Sequence, residues 1–156
     1  MTGYAAVGDA WACTNPSAGR GTSVGIVHAQ LLLRVVRDHL GDPAAFAWAW
    51  DEGTEQQVAP FYWNQIGADR TRLAEMTALR EGRTWTPDGS LMSRLVAAAP
   101  YDADLFRAFL QIFTCLALPQ EVFQRPAIRE KIEHSDHQAA PAPGPDRQQL
   151  LDLLSA

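Results

Sequence analysis

The stretch VGDAWACTNPSAGRGTSVG, Val7 to Gly25, constrains this chain more than any other. It carries glycines at 8, 19, 21 and 25, a proline at 16 and one acidic residue, Asp9, and it joins a very short apolar run to the chain's clearest helical period. Tyr4-Ala5-Ala6-Val7 is stopped by Gly8-Asp9, which makes it too brief for a helix and predicts one buried strand. A lone strand cannot satisfy its own backbone, and no other segment of the sequence reads as its neighbour. After the loop, Val24, Val27, Leu31 and Val35 recur three and four residues apart, as far as Leu40-Gly41. That spacing predicts an amphipathic helix closed by a glycine.

From there the sequence reads as helical throughout. Asp42-Pro43 is an N-cap followed by a first-turn proline, and Thr54-Glu55-Gln56-Gln57 fits a second helix start as a capping box. Pro60 predicts a kink or a restart, after which Ile66, Leu73, Met76 and Leu79 continue one apolar face to Gly82. Asp69, Arg70, Arg72 and Glu75 read as the solvated side of that helix. Pro87-Asp88-Gly89-Ser90 is a turn, Leu91 to Ala99 a short helix, and Asp102 the cap of an apolar helix bearing Leu105, Phe109, Ile112, Phe113 and Leu116. Pro119 and Pro126 occupy first-turn positions of two short helices. Prolines at 141, 143 and 145 make residues 134–146 a flexible linker, and Gln148 to Leu154 a short leucine-rich helix.

The 156 residues suit one domain with a real core. A net charge of -5 gives no electrostatic footprint for nucleic acid or an anionic membrane, so neither is expected as a partner. No apolar run reaches the roughly 20 residues that a membrane span needs. Cys13 and Cys115 are far apart and lack companions at metal-ligand spacing, so no disulfide framework or zinc site is expected and a reducing cytoplasm is the expected compartment.

The order strand, Gly-Asp, glycine-rich loop, helix has a direct physical meaning. A helix N-terminus presents unpaired N–H groups and the positive end of its dipole to negative or electron-rich atoms. Gly19, Gly21 and Gly25 leave that approach open, and the Asp9 carboxylate can accept hydrogen bonds from sugar-type hydroxyls. A ligand combining polyol and anionic groups suits the set. An ordinary strand-to-helix turn explains the glycines equally well. The pattern is neither a dinucleotide fingerprint nor a phosphate P-loop, because Gly19-Arg20-Gly21 lacks the spacing of the first and no Gly-Lys-Ser/Thr follows for the second.

Taken as a whole, Gly8-Asp9-Ala10, Pro16, Gly19-Arg20-Gly21 and Gly25, followed by Ala29 and the leucines of the emerging helix, resembles the second flavin-binding motif of FAD-dependent monooxygenases of the aromatic-hydroxylase and flavin-halogenase superfamily. Val58-Ala59-Pro60-Phe61-Tyr62, Gln65, Asp69-Arg70 and Ala78-Leu79-Arg80-Glu81-Gly82 look like the helical C-terminal part of bacterial members, so the resemblance covers about residues 3 to 130. It implies FAD as cofactor and a small organic substrate. Gly8 and Asp9 would hold the ribityl chain, Pro16, Gly19 and Gly21 would run beside the flavin ring, and the backbone N–H groups of Thr22 and Ser23 would face its pyrimidine edge. The implied fold is mainly α: one strand and helix left from an α/β FAD-binding domain (1–41), a helical region (42–133), the linker (134–146) and a terminal helix (147–156). Family members bind the ADP half of FAD on a Gly-x-Gly-x-x-Gly unit that this sequence does not contain. The expectation is therefore a C-terminal portion of an oxidoreductase, completed by an N-terminal FAD-binding half in trans or in a longer chain. The competing expectation is a helical interaction module or inactive fragment that no longer binds FAD.

Other candidates are weaker. His28, where the family is often acidic, reads as a hydrogen-bonded core or boundary histidine. His134 and His137 lack carboxylate or cysteine company, so no metal site is expected and both are expected to face solvent. Cys13 reads as a small apolar filler. Phe46, Trp48, Trp50, Phe61, Tyr62 and Trp63 read as core, or else as the lining of a substrate or flavin pocket, and they are too many for one helix face, so some must meet another surface. No catalytic residue is assigned.

Overall fold

A computed structural model describes residues 2–135, 145 and 147–154. Among them the fold is mainly α, with eight helices and no strand. α1 spans Gly21–His39, α2 Pro43–Gln57, α3 Ala59–Arg80, α4 Leu91–Ala98, α5 Ala103–Phe113, α6 Pro119–Phe123, α7 Pro126–His134 and α8 Arg147–Leu154. His137 and most of the expected linker lie outside the described residues.

Local chemistry sets most of the helix ends. The Asp42 carboxylate accepts from the Ala44 and Ala45 N–H groups at 3.0 Å each, with Pro43 in the first turn of α2. Asp102 caps α5 in the same way through Asp104 and Leu105. Lys131 of α7 reaches both Asp102, at 2.8 Å, and Asp104, at 2.7 Å, so its ammonium holds both carboxyls below their ordinary range. The prolines at 60, 119 and 126 each fall at the start of a helix, where the missing N–H has no intrahelical partner to lose. Gly82 ends α3 in the left-handed region at φ +68°, a conformation that L side chains resist.

Two expectations fail here. Tyr4–Val7 is not a strand: Val7 is extended at φ -127° and ψ 140°, but no ladder forms, and Ala5 and Val7 instead pack as apolar cover on the first core. The chain uses the run for its surface rather than for its backbone. Nor does a helix begin at Thr54. α2 runs through that residue to Gln57, and the break falls at Val58, where Pro60 in the next first turn forbids continuation.

The core has two parts. Val24, Leu31 and Val35 of α1 meet Trp50 of α2 and Phe61 of α3, together with Val58 and Cys115. Leu95, Ala98, Leu105, Ala108, Ile112, Val122 and Ile132 form the second part from α4 to α7. The 3.6-residue period of α1 and α5 explains this directly, since each buries one stripe. α2 lies unusually close to α1 at Gly53. A Cβ built there would stand 2.7 Å from Leu31 Cδ1, so only glycine permits the approach without a shift.

Candidate functional site

The loop before α1 is built by three short devices. Gly8 adopts φ +57°, which opens a single 3₁₀ turn over Gly8–Ala10, closed by the Trp11 N–H to Gly8 carbonyl bond at 2.9 Å. The chain then runs out through Thr14 and makes a second such turn at Pro16–Ala18. Gly19, at φ +64°, turns it into Arg20 and the start of α1.

The result returns Asp9 to the beginning of the helix. A Cβ on Gly21 would meet Asp9 Oδ1 at 3.6 Å and Thr14 Oγ1 at 3.5 Å, and one on Gly8 would meet Gly25 Cα at 3.5 Å. Asp9, Gly19 and Thr22 are exposed, Gly8, Gly21 and Ser23 half-buried, and Pro16 is exposed. No side chain caps α1 and no acidic residue lies in its first turn; the carboxylate brought to that helix end is Asp9, from the preceding loop. Around Gly19 and Gly25 a Cβ would find nothing within 4 Å, so these glycines border open space. The expected residues Gly8, Asp9, Gly21, Thr22 and Ser23 are thus gathered around one helix start, with Pro16 and Gly19 on the loop beside it. What the arrangement offers a ligand is an exposed carboxylate, a helix start without a side-chain cap, and open space beside Gly19 and Gly25.

Below the loop lies a buried polar seat. His28 is fully buried, and its Nδ1 accepts the Gly8 N–H at 3.2 Å while Nε2 meets Thr54 Oγ1 at 3.1 Å. Its ring stacks on Trp50 with centroids 4.4 Å apart and planes 6° apart, and meets Trp11 edge-on at 5.4 Å. Burial holds its pKa below the ordinary 6.5. His28 is the expected hydrogen-bonded core histidine, but Thr54, expected to cap a helix, is its buried partner.

The loop is also tied to α3. Asn15 donates to Asp69 Oδ1 at 3.1 Å, as does Gln65, and Trp11 meets Tyr62 edge-on at 5.7 Å. Asp69 is therefore a half-buried acceptor rather than part of a solvated face; Arg70, Arg72 and Glu75 do face outward. Arg20, which sequence reasoning missed, is only 4% exposed. It donates to Asn64 Oδ1 at 3.0 Å and to the Ile112 carbonyl at 3.3 Å, while its Nε lacks a partner among the described residues. Nothing local marks it, since a charged residue between glycines in a polar loop ordinarily lies on the surface. Burial pushes the Cys115 thiol up, with the nearby Arg20 charge opposing.

Cys13 corrects another expectation. It is exposed and not a filler, because the half-buried Trp11 takes the inward position beside His28 and Tyr62. Of the aromatic stretch, Trp50 and Phe61 are core, Phe46 and Tyr62 half-buried, and Trp48 and Trp63 outward, at 76% and 60% exposure. His134 faces solvent. Among the described residues no cluster of three or more His, Cys, Asp or Glu is placed to hold a metal, and no helix is long and apolar enough to cross a membrane. Comparison with known family models, curated proteins and solved structures finds no match.

Proposed function

We propose that this chain is the part of an FAD-dependent, monooxygenase-like oxidoreductase that seats the ribityl chain and isoalloxazine ring. One observation carries the reading: the Gly8–Asp9 turn brings an exposed carboxylate next to Gly21 at an uncapped helix start. That is the juxtaposition the sequence resemblance requires, and nothing in the spacing of a bland turn demands it. Asp9 accepts ribityl hydroxyls, Gly8, Pro16, Gly19 and Gly21 leave room for the ring, and the N–H groups of Thr22 and Ser23 meet its electron-rich edge. FAD supplies the redox chemistry when bound. The ADP half of the cofactor is held by a second FAD-binding segment, and the substrate is a small organic molecule; nucleic acid and membrane are not partners in this reading. We place the protein in the cytoplasm, in keeping with two cysteines that are both free.

The test is flavin binding by the protein together with a supplied FAD-binding half. Asp9→Ala is expected to weaken FAD binding by about tenfold or more, the loss of one or two hydrogen bonds to a charged group, with helix content unchanged by circular dichroism. Unchanged affinity removes Asp9 from the site. A second reading, a helical interaction module, is favoured by the outward Leu73, Met76 and Leu79 of α3, of which Leu73 borders a groove of about 620 Å³ shared with Trp85. It predicts no flavin retention in either context.

A further inference from the structure

We propose that His28 is a positioning residue that latches the Gly8–Asp9 turn through its neutral Nε2–H tautomer, so that protonation of its ring unlatches the turn. The functional meaning of the latch rests on the flavin reading; its geometry does not.

The tautomer follows from the partners. A backbone N–H can only donate, so Nδ1, which faces the Gly8 N–H at 3.2 Å, must carry a lone pair. The remaining ring proton then sits on Nε2 and is donated to Thr54 Oγ1 at 3.1 Å. The Trp50 stack and the Trp11 edge leave the ring no room to turn away, and the side chain is fully buried. A proton added at Nδ1 would set two donors against each other at the first residue of the turn that holds Asp9. The Gly8 N–H, half-buried and 20 residues away in sequence, has no other partner among the described residues.

Among the described residues no charged group contacts the ring. From the N-terminal loop it faces Gly8 and Trp11, and the only ionisable group of that turn, Asp9, is exposed. From α2 it faces Thr54 and Trp50, while Asp51, Glu52 and Glu55 of that helix point to solvent. Tyr62 of α3 touches Trp11 rather than His28. Burial is the cause that favours the neutral form, so the latch is closed at neutral pH.

Two measurements on the full chain test this. Nitrogen-15 NMR of the histidine rings at pH 7.5 is expected to show His28 protonated on Nε2 alone; a ring protonated on Nδ1 overturns the proposal without any variant. Amide hydrogen exchange of residues 8–12 is expected to show protection above pH 7 that falls by up to about tenfold for each pH unit below 6.5, because the opened turn binds a proton that the closed turn excludes. In His28→Gln, whose amide can accept from Gly8 and donate to Thr54 but does not titrate, protection is expected to persist with that pH dependence gone. The same pH dependence in His28→Gln, or no protection of the wild-type turn above pH 7, overturns the latch. If His28→Gln does not fold, the wild-type tautomer and exchange profile decide. Neither readout needs FAD. A latched turn in a protein that binds no flavin sinks the flavin reading alone, and flavin binding over a pH-insensitive turn sinks the latch alone.

Discussion

Replacing Gly53 with alanine offers a sharp test of how α2 reaches the buried polar seat. Two effects of known size oppose each other. Glycine inside a helix is worse than alanine by about 0.5–1 kcal/mol, so the exchange should help wherever a methyl group has room. At position 53 it has none: the new Cβ would lie 2.7 Å from Leu31 Cδ1 and 3.1 Å from Cδ2, against about 3.5–4.0 Å for a relaxed carbon contact. Leu31 is 3% exposed and packed in the first core, so its tip can yield only toward the groove of about 340 Å³ that it lines with Gly53, giving up core contacts as it moves. Overpacking of this kind costs about 1–3 kcal/mol. The clash wins, leaving Gly53→Ala about 1 kcal/mol less stable. Gly67→Ala in α3, where a Cβ meets nothing within 4 Å, keeps the propensity gain alone and should be stabilising by about 0.5–1 kcal/mol. For a chain of this length thermal denaturation should show Tm down by about 3 °C in the first and up by about 2 °C in the second. Thr54 follows Gly53 directly, so the displaced helix also stretches the Thr54–His28 bond. Adding Leu31→Ala to Gly53→Ala should cost less than the two single changes summed, by about 1 kcal/mol. If Gly53→Ala stabilises as much as Gly67→Ala, the close approach of α1 and α2 does not exist as described.

Gly8→Ala forces an L side chain to φ +57° against Gly25, which costs about 1–2 kcal/mol, read as a lower Tm with the helices intact by circular dichroism. His28 has a folded pKa below its ordinary 6.5, so its contribution to stability is fully present above pH 6.5 and is lost as the pH falls below it. Denaturant titrations should lose up to about 1.4 kcal/mol per pH unit in that range, a slope absent from His28→Gln. Arg20→Lys keeps the charge but not the fork that spans Asn64 and the Ile112 carbonyl, so it should lower Tm and loosen α1 from α5 in hydrogen exchange; an unchanged protein would show that the fork contributes nothing.

The helical character of the chain and most of its punctuation were readable in advance because the forces involved act within one turn. Asp42 and Asp102 cap N–H groups two and three residues ahead, the prolines at 60, 119 and 126 act on their own turn, and Gly82 acts through its own φ. The glycines at 8 and 19 permit the positive φ they adopt, but so do Gly21 and Gly25, which do not adopt it, so residue type alone did not single them out. Thr54-Glu55-Gln56-Gln57 misled for the same reason. Its spacing suits a cap, but a cap forms only where the helix has ended, and apolar packing of α2 on α1 carries the helix past it.

By itself, then, the sequence determined that helices would form, where most would start and stop, and that a glycine-rich loop with one carboxylate would precede the first. Only the tertiary structure decided what the polar residues were for. His28 finds Gly8 across 20 residues and Thr54 across 26, and Arg20 finds Ile112 across 92. Such partners lie beyond the reach of any spacing rule, and a buried polar group must take whatever donor or acceptor the packing brings to it. Tyr4–Val7 shows the converse: its residues suited a strand, but with no ladder to join, burying Ala5 and Val7 against the core was the interaction open to it.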